Sequence, residues 1–292
     1  MVWIILFVLG LAIGSFLNVV SLRYEPGNKI FDLKIINGRS NCFHCHTKLK
    51  WYELIPLLSF IIQFGKCRSC GNRLSWQYPL VELLSGLIFV LVPLLLLWSL
   101  LLSIAWILIF LLFLLLSIID FRHYIIPDSI NLSLAILGAI LTGIYIFQSN
   151  NLTIQRFNSF SFLGHYSLLF NFWPLSLVIS HWSLVISHFI AAFIAMAFVA
   201  AIIILSRGRG MGWGDFKLVG ALGLIFGWPD ILMILFLSFI IGSIFVLPLL
   251  VKKQKTMKDV VPFGPFLIIA ATLTFFLGYQ IIDGYFKLFS LV

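Results

Sequence analysis

Two sets of residues in this 292-residue chain have the types and spacing to do chemistry. The first holds all four cysteines, as Cys42-Phe-His-Cys45 and Cys67-Arg-Ser-Cys70. Two C-x-x-C knuckles bring four thiolates within tetrahedral reach of one Zn²⁺, and a hairpin spans the residues between the pairs. Four sulfur ligands leave no open position on the metal. The expected role is therefore structural, pinning a loop too small to hold a core of its own. His44 and His46 could each replace a thiolate. A thioredoxin-like site would need only one C-x-x-C.

The second set is acidic. Asp120 lies in Ser117-Ile-Ile-Asp-Phe-Arg-His-Tyr-Ile-Ile-Pro-Asp128, and Asp215 in Arg209-Gly-Met-Gly-Trp-Gly-Asp-Phe-Lys217. Two opposed carboxylates can hydrolyse an amide. They share one proton, because two negative charges ~3 Å apart cannot both persist. The ionised group draws a proton from water, and the protonated one donates to the oxyanion or the leaving nitrogen. Glycines before Asp215 permit close backbone approach, so Gly212, Gly214 and Lys217 are expected to accommodate a peptide. The same aspartates also read as solvated helix-end residues, with Arg122 or Lys217 as neutralising neighbours. Asp128 is a rival first aspartate, which capping of the next helix also explains. Glu82, one turn inside its helix, reads as structural support.

The elements that position these groups follow from composition. The chain is 62% hydrophobic and 10% charged, with a mean hydropathy of +1.12. Soluble domains carry about 25% charged residues. A soluble single-core enzyme, a disordered chain and a coiled coil are excluded, and a polytopic all-α membrane protein remains. The expected passes are 1–22, two within 79–119, 125–147, about 184–205, 218–226, 231–251 and 261–282, eight in all. The break in 218–251 falls at Gly227-Trp-Pro-Asp230. With the N-terminus outside, 17 of the 19 Lys and Arg residues lie inside, leaving Arg156 and Lys287 outside. Basic residues in loops retain them on the cytoplasmic side. The net charge of +9 thus reflects topology and lipid contact, and nucleic acid is not expected as a partner.

Three segments result: a first transmembrane helix (1–22), a small cytoplasmic zinc-ribbon-like domain (23–78), and a membrane-embedded domain (79–292). The last carries an atypical external insertion at about 150–183. A seven-residue duplication, Ser176-Leu-Val-Ile-Ser-His-Trp182 and Ser183-Leu-Val-Ile-Ser-His-Phe189, reads as a repeat in a tolerant loop, although a role for His181 and His188 is conceivable. Asn18 in the first helix reads as interhelical glue. Two other functions fit acids in a membrane chain: a proton- or cation-coupled transporter, and a non-enzymatic assembly factor docking through the zinc loop.

These residues resemble the type IV prepilin leader peptidases, the GxGD class of membrane aspartic proteases. The resemblance runs through Gly14-Ser-Phe-Leu-Asn-Val-Val20 with Arg23, the four cysteines, Ile55-Pro-Leu-Leu-Ser59 and Tyr78-Pro-Leu-Val-Glu82. It continues through Asp120 with Ile126-Pro-Asp128, Gly212-Trp-Gly-Asp-Phe-Lys-Leu218 and Pro262-Phe-Gly-Pro265. It implies Asp120 and Asp215 as the catalytic pair, located in a bacterial inner membrane with the active site facing the cytoplasm. The implied substrates are type IV prepilins or type II secretion pseudopilins, which lose a short positive leader, usually cut after Gly and before Phe. It also implies N-methylation of the new N-terminus with S-adenosylmethionine, an expectation resting on the resemblance alone. The segment around 150–183 departs from the family pattern.

Overall fold

The computed structural model describes residues 1–27, 38–42, 44–96, 99–148, 181–208, 210–252 and 261–288. Its helices are α1 (Val2–Arg23), α2 (Leu58–Ile62), α3 (Gln77–Leu95), α4 (Leu100–His123), α5 (Asp128–Gln148), α6 (His181–Leu205), α7 (Trp213–Phe226), α8 (Asp230–Val251) and α9 (Gly264–Leu288). A single 3-10 turn, Trp51–Leu54, precedes α2. Among the described residues there is no strand, only two isolated bridges. In lipid each span must satisfy its own backbone, and helices do so. Six of the helices are long and apolar enough to cross a membrane: α1, α3, α4, α5 over Asp128–Phe147, α6 over Val185–Leu205, and α8. The chain is therefore an integral membrane protein. α7 has 14 residues, and the apolar part of α9 is Gly264–Gly278. At 1.5 Å per residue α7 is only about 21 Å long.

The helix breaks have local causes. Pro93 stands in the last turn of α3, and α4 begins at Leu100. Gly227 ends α7 with φ of 74°, a left-handed conformation that suits glycine, and donates its N–H to Gly223 O at 2.9 Å. Pro229 then separates α7 from α8, so the apolar run 218–251 divides where the sequence indicated.

The chain forms two compact units, Met1–His123 and Tyr124–Val292. In the first, α1 and α3 meet through small residues. A Cβ at Gly10 would lie 2.7 Å from Ser85 O, and one at Gly14 would lie 2.8 Å from Glu82 Cα. Gly10 and Gly14 form a G-x-x-x-G pair, the spacing that lets two helices touch backbone to backbone in lipid. Asn18 Nδ2 donates to Tyr78 O at 3.2 Å, so Asn18 does bind two helices together. α4 buries Ile109, Phe110, Phe113, Leu116 and Ile119.

In the second unit α7 is buried all round beyond its first turn, through Leu218, Val219, Ala221, Leu222 and Ile225. Its glycines admit its neighbours: a Cβ at Gly223 would meet Ala192 Cα of α6 at 2.4 Å, and one at Gly220 would meet Met196 Sδ at 2.7 Å. Phe239 and Phe245 of α8 pack on Phe263 and Phe266, at ring separations of 5.3 and 5.9 Å.

Most of the insertion at 150–183, including residues 176–180 of the first copy of the duplication, lies outside the described residues; His181 and Trp182 of that copy begin α6. The second copy corrects the loop reading, because residues 183–189 belong to α6. His188 is buried there, and a Cβ at Gly227 would come within 3.0 Å of its ring.

Candidate active site and metal centre

The two cysteine knuckles fold identically. Cys42 N–H donates to Thr47 O, His46 N–H to Cys42 O, and Leu49 N–H to Ser40 O, at 2.9–3.0 Å. Twenty-five positions on, Cys67 donates to Asn72 O, Gly71 to Cys67 O, and Leu74 to Gly65 O, at 2.7–2.8 Å. Each knuckle turns on a left-handed residue, His46 with φ of 54° and Gly71 with φ of 71°. The pairing places all four sulfurs within 4.8 Å of one another, with Cys42 Sγ and Cys70 Sγ 3.9 Å apart. A zinc–sulfur distance of ~2.3 Å gives a tetrahedron with edges of about 3.8 Å, so the four fit one ion.

All four cysteines are free of disulfides. The Thr47 hydroxyl, donating to Cys45 Sγ at 3.2 Å, and the Thr47 backbone hold the Cys45 thiol down to about 6. Backbone hydrogen bonds from Cys70 and Ser69 lower Cys67 as well. Burial and the neighbouring cysteine side chains push the Cys70 thiol the other way, up to about 11, so two of the four thiols are held toward the thiolate, the form that binds a metal. His44 and His46 stand outside the sulfur cluster. Neither the 3-10 turn nor α2 buries a residue, so the loop has little apolar core. Glu82 ties it to α3: Leu57 N–H donates to Glu82 Oε2 at 2.8 Å. Leu57 has φ of 59°, a strained turn that this bond secures.

Asp215 is the third residue of α7 and is 8% exposed. Gly212, the N-cap residue, is extended, and its N–H donates to Asp215 Oδ2 at 3.1 Å. The first turn of a helix has N–H groups without intrahelical acceptors and a positive dipole end, so a carboxylate belongs there. The two glycines have different duties. A Cβ at Gly214 would meet Ile126 Cβ at 3.1 Å, whereas one at Gly212 would meet only Asp215 Oδ2 at 3.4 Å. Lys217 pairs with Asp128, the first residue of α5, at 2.7 Å. Its place in the first turn of α5, where the helix dipole favours a carboxylate, and this ion pair together account for Asp128.

Asp120 lies in the last turn of α4 in the first unit and is 3% exposed. Within that unit Arg122 Nη1 donates to Leu22 O at 3.4 Å, and the His123 ring meets Tyr24 edge-on at 5.9 Å. An apolar cavity of about 230 Å³ lies farther along the second unit, lined by Thr142, Ile146, Val185, His188 and Leu224. On α5 its wall begins at Ala139, eleven residues past Asp128.

Sequence reasoning passed over Asn131. It is 5% exposed, and neither its Nδ2 nor its Oδ1 has a hydrogen-bond partner among the described residues. The available signal was an amide one turn after Asp128 in a predominantly apolar helix.

Residues 8–96 match the bacterial peptidase A24 N-terminal domain, and residues 105–247 the type IV leader peptidase family. The chain is similar to the prepilin leader peptidase/N-methyltransferase of Stutzerimonas stutzeri, with 31% identity covering 95% of this chain and 91% of that protein. The proteins of the same name from Aeromonas hydrophila and Pseudomonas aeruginosa are each 30% identical, covering 96% and 95% of this chain and 92% and 91% of theirs. No solved structure matches the chain. The motifs, the all-helical membrane fold and these relatives together place the chain in the type IV leader peptidase family.

Proposed function

We propose that this protein is a membrane-embedded aspartic endopeptidase that removes the leader of type IV prepilins or pseudopilins and then N-methylates the new N-terminus. The carrying observation is the Gly212-Trp-Gly-Asp215 turn, which fixes a buried carboxylate at a helix N-terminus in a chain of this family. Asp120 is its partner in the reaction. One carboxylate takes a proton from water, and the water oxygen bonds to the scissile carbonyl carbon. The other carboxyl gives its proton to the carbonyl oxygen. Collapse breaks the C–N bond, and a proton passes to the leaving nitrogen. The relatives' names favour neither a transporter nor a non-enzymatic assembly factor.

The eight-pass topology, with the N-terminus outside and residues 23–78 in the cytoplasm, is part of this reading. It places the active site at the cytoplasmic face of the inner membrane. Its support is the 17-to-2 division of basic residues and the six long spans. Gly212, Gly214 and Lys217 lie where a substrate strand would pass Asp215. Cys42, Cys45, Cys67 and Cys70 would hold a structural zinc ion that stands outside the hydrolytic step. S-adenosylmethionine would supply the methyl group. No residue of this chain is assigned to it.

The test is incubation of the purified protein, in detergent, with a prepilin and S-adenosylmethionine, followed by mass measurement. Loss of the leader and gain of one methyl are expected. Asp120→Asn and Asp215→Asn should each abolish cleavage while remaining folded, and full cleavage by either variant refutes the pair.

A further inference from the structure

We propose that Asn131 is a substrate-binding residue whose side-chain amide hydrogen-bonds a backbone peptide group of the bound prepilin, about two residues to the membrane side of the scissile bond. The inference rests on the peptidase reading above. Its observations come from the second unit alone.

Asn131 sits in the first turns of α5, a span of apolar character. Burying a bare amide costs stability unless something pairs with it. Asparagine is also a weak helix former, so propensity does not explain it. Among the described residues its donor and its acceptor both lack partners. Such a pair matches a peptide group: the NH₂ gives to a C=O, and the side-chain oxygen accepts an N–H.

The register of α5 against α7 locates it. Ile126 faces Gly214, Asp128 bonds to Lys217, and Gly138 packs against Leu224 and Ile225. The numbers rise together, so the two helices run parallel with a nearly constant offset. Asp215 is then level with Pro127, just before α5, and Asn131 with Val219. Four residues at 1.5 Å each put Asn131 about 6 Å farther from the helix N-termini than Asp215. An extended peptide advances about 3.3 Å per residue, so that distance spans two residues of substrate.

The charged leader stays on the water side of the cut bond, and the chain beyond the bond leads toward the bilayer. To be attacked, the substrate must lie extended around its scissile carbonyl, without hydrogen bonds within its own chain. Its freed N–H and C=O groups then face a region without water, where unpaired backbone is costly. Asn131 supplies both partners for one such peptide group.

The test uses the full-length enzyme in detergent and a synthetic prepilin peptide. A parallel series replaces one backbone N–H at a time by an ester oxygen. Asn131→Leu should unfold at or above the wild-type temperature, because it removes a bare buried amide. Its kcat/KM should nevertheless fall about 10- to 100-fold, the effect of one buried hydrogen-bonded pair. An ester near the second position beyond the cut should slow the wild type about tenfold and leave Asn131→Leu at its already reduced rate. Unchanged cleavage by Asn131→Leu, or equal ester sensitivity in the two enzymes, overturns the proposal. An unfolded Asn131→Leu protein overturns it as well, by showing that the amide serves the fold. If the wild type fails to cleave the all-amide peptide, the peptidase reading itself is refuted.

Discussion

Gly214 and Gly212 stand two residues apart in one motif, and the structure predicts opposite responses to the same methyl group. At Gly214 the added Cβ would lie 3.1 Å from Ile126 Cβ and 3.5 Å from its Cγ1. Carbon atoms rest at about 3.5–4.0 Å, so the first turn of α7 or the Ile126 segment must move by about 0.5 Å. Overpacking of this kind costs about 1–3 kcal/mol, and the better helix propensity of alanine returns up to about 1 kcal/mol. The net loss for Gly214→Ala is therefore about 0–2 kcal/mol. Activity should suffer more than stability, since Asp215 is the next residue. A misplacement of 1 Å costs about 100-fold in rate, so half of that costs about tenfold.

Gly212 has φ of −88° and ψ of 155°, extended backbone that any residue adopts, and its nearest contact would be an ordinary 3.4 Å. Gly212→Ala loses only the small advantage of glycine over alanine at an N-cap, about 0.5 kcal/mol. The assay is thermal unfolding of both variants in detergent beside initial rates of prepilin cleavage. Gly214→Ala matching the wild type in rate, with Gly212→Ala the slower enzyme, would refute the packing argument.

The remaining predictions concern the cysteine loop. Purified protein should carry about one zinc per chain, and a strong chelator should remove it and expose residues 38–76 to protease while α3 and α4 stay intact; metal-free protein with an unaltered digestion pattern would count against a structural ion. His46→Gly should stabilise the holo-loop by about 1 kcal/mol, because His46 occupies the left-handed position that Gly71 fills in the other knuckle; zinc retention against a graded chelator measures this. Glu82→Leu should leave the Leu57 N–H without its acceptor at a cost of about 1–3 kcal/mol, whereas Glu82→Gln keeps an acceptor and should lose less; thermal unfolding of the two variants compares them.

Much of this protein was legible in the residues alone. Lipid forces each apolar run into a helix, so run length located the six long spans among the eight expected passes, and Gly227 with Pro229 divided α7 from α8. The C-x-x-C spacing specified each knuckle because its hydrogen bonds close within ten consecutive residues. Glu82 as a support and Asn18 as glue were readable as polar groups in apolar helices, though their partners Leu57 and Tyr78 were not. Tertiary structure decided the rest. It separated Gly214, pressed on Ile126, from Gly212, which has room. It gave Lys217 to Asp128, placed the second histidine copy in α6, and left Asn131 bare and buried. The physical reason is that lipid is as apolar as a protein core, so hydrophobicity does not mark which face of a membrane helix meets a neighbour. Contacts between residues 60 to 90 positions apart depend on that facing, and only the packed helices select it.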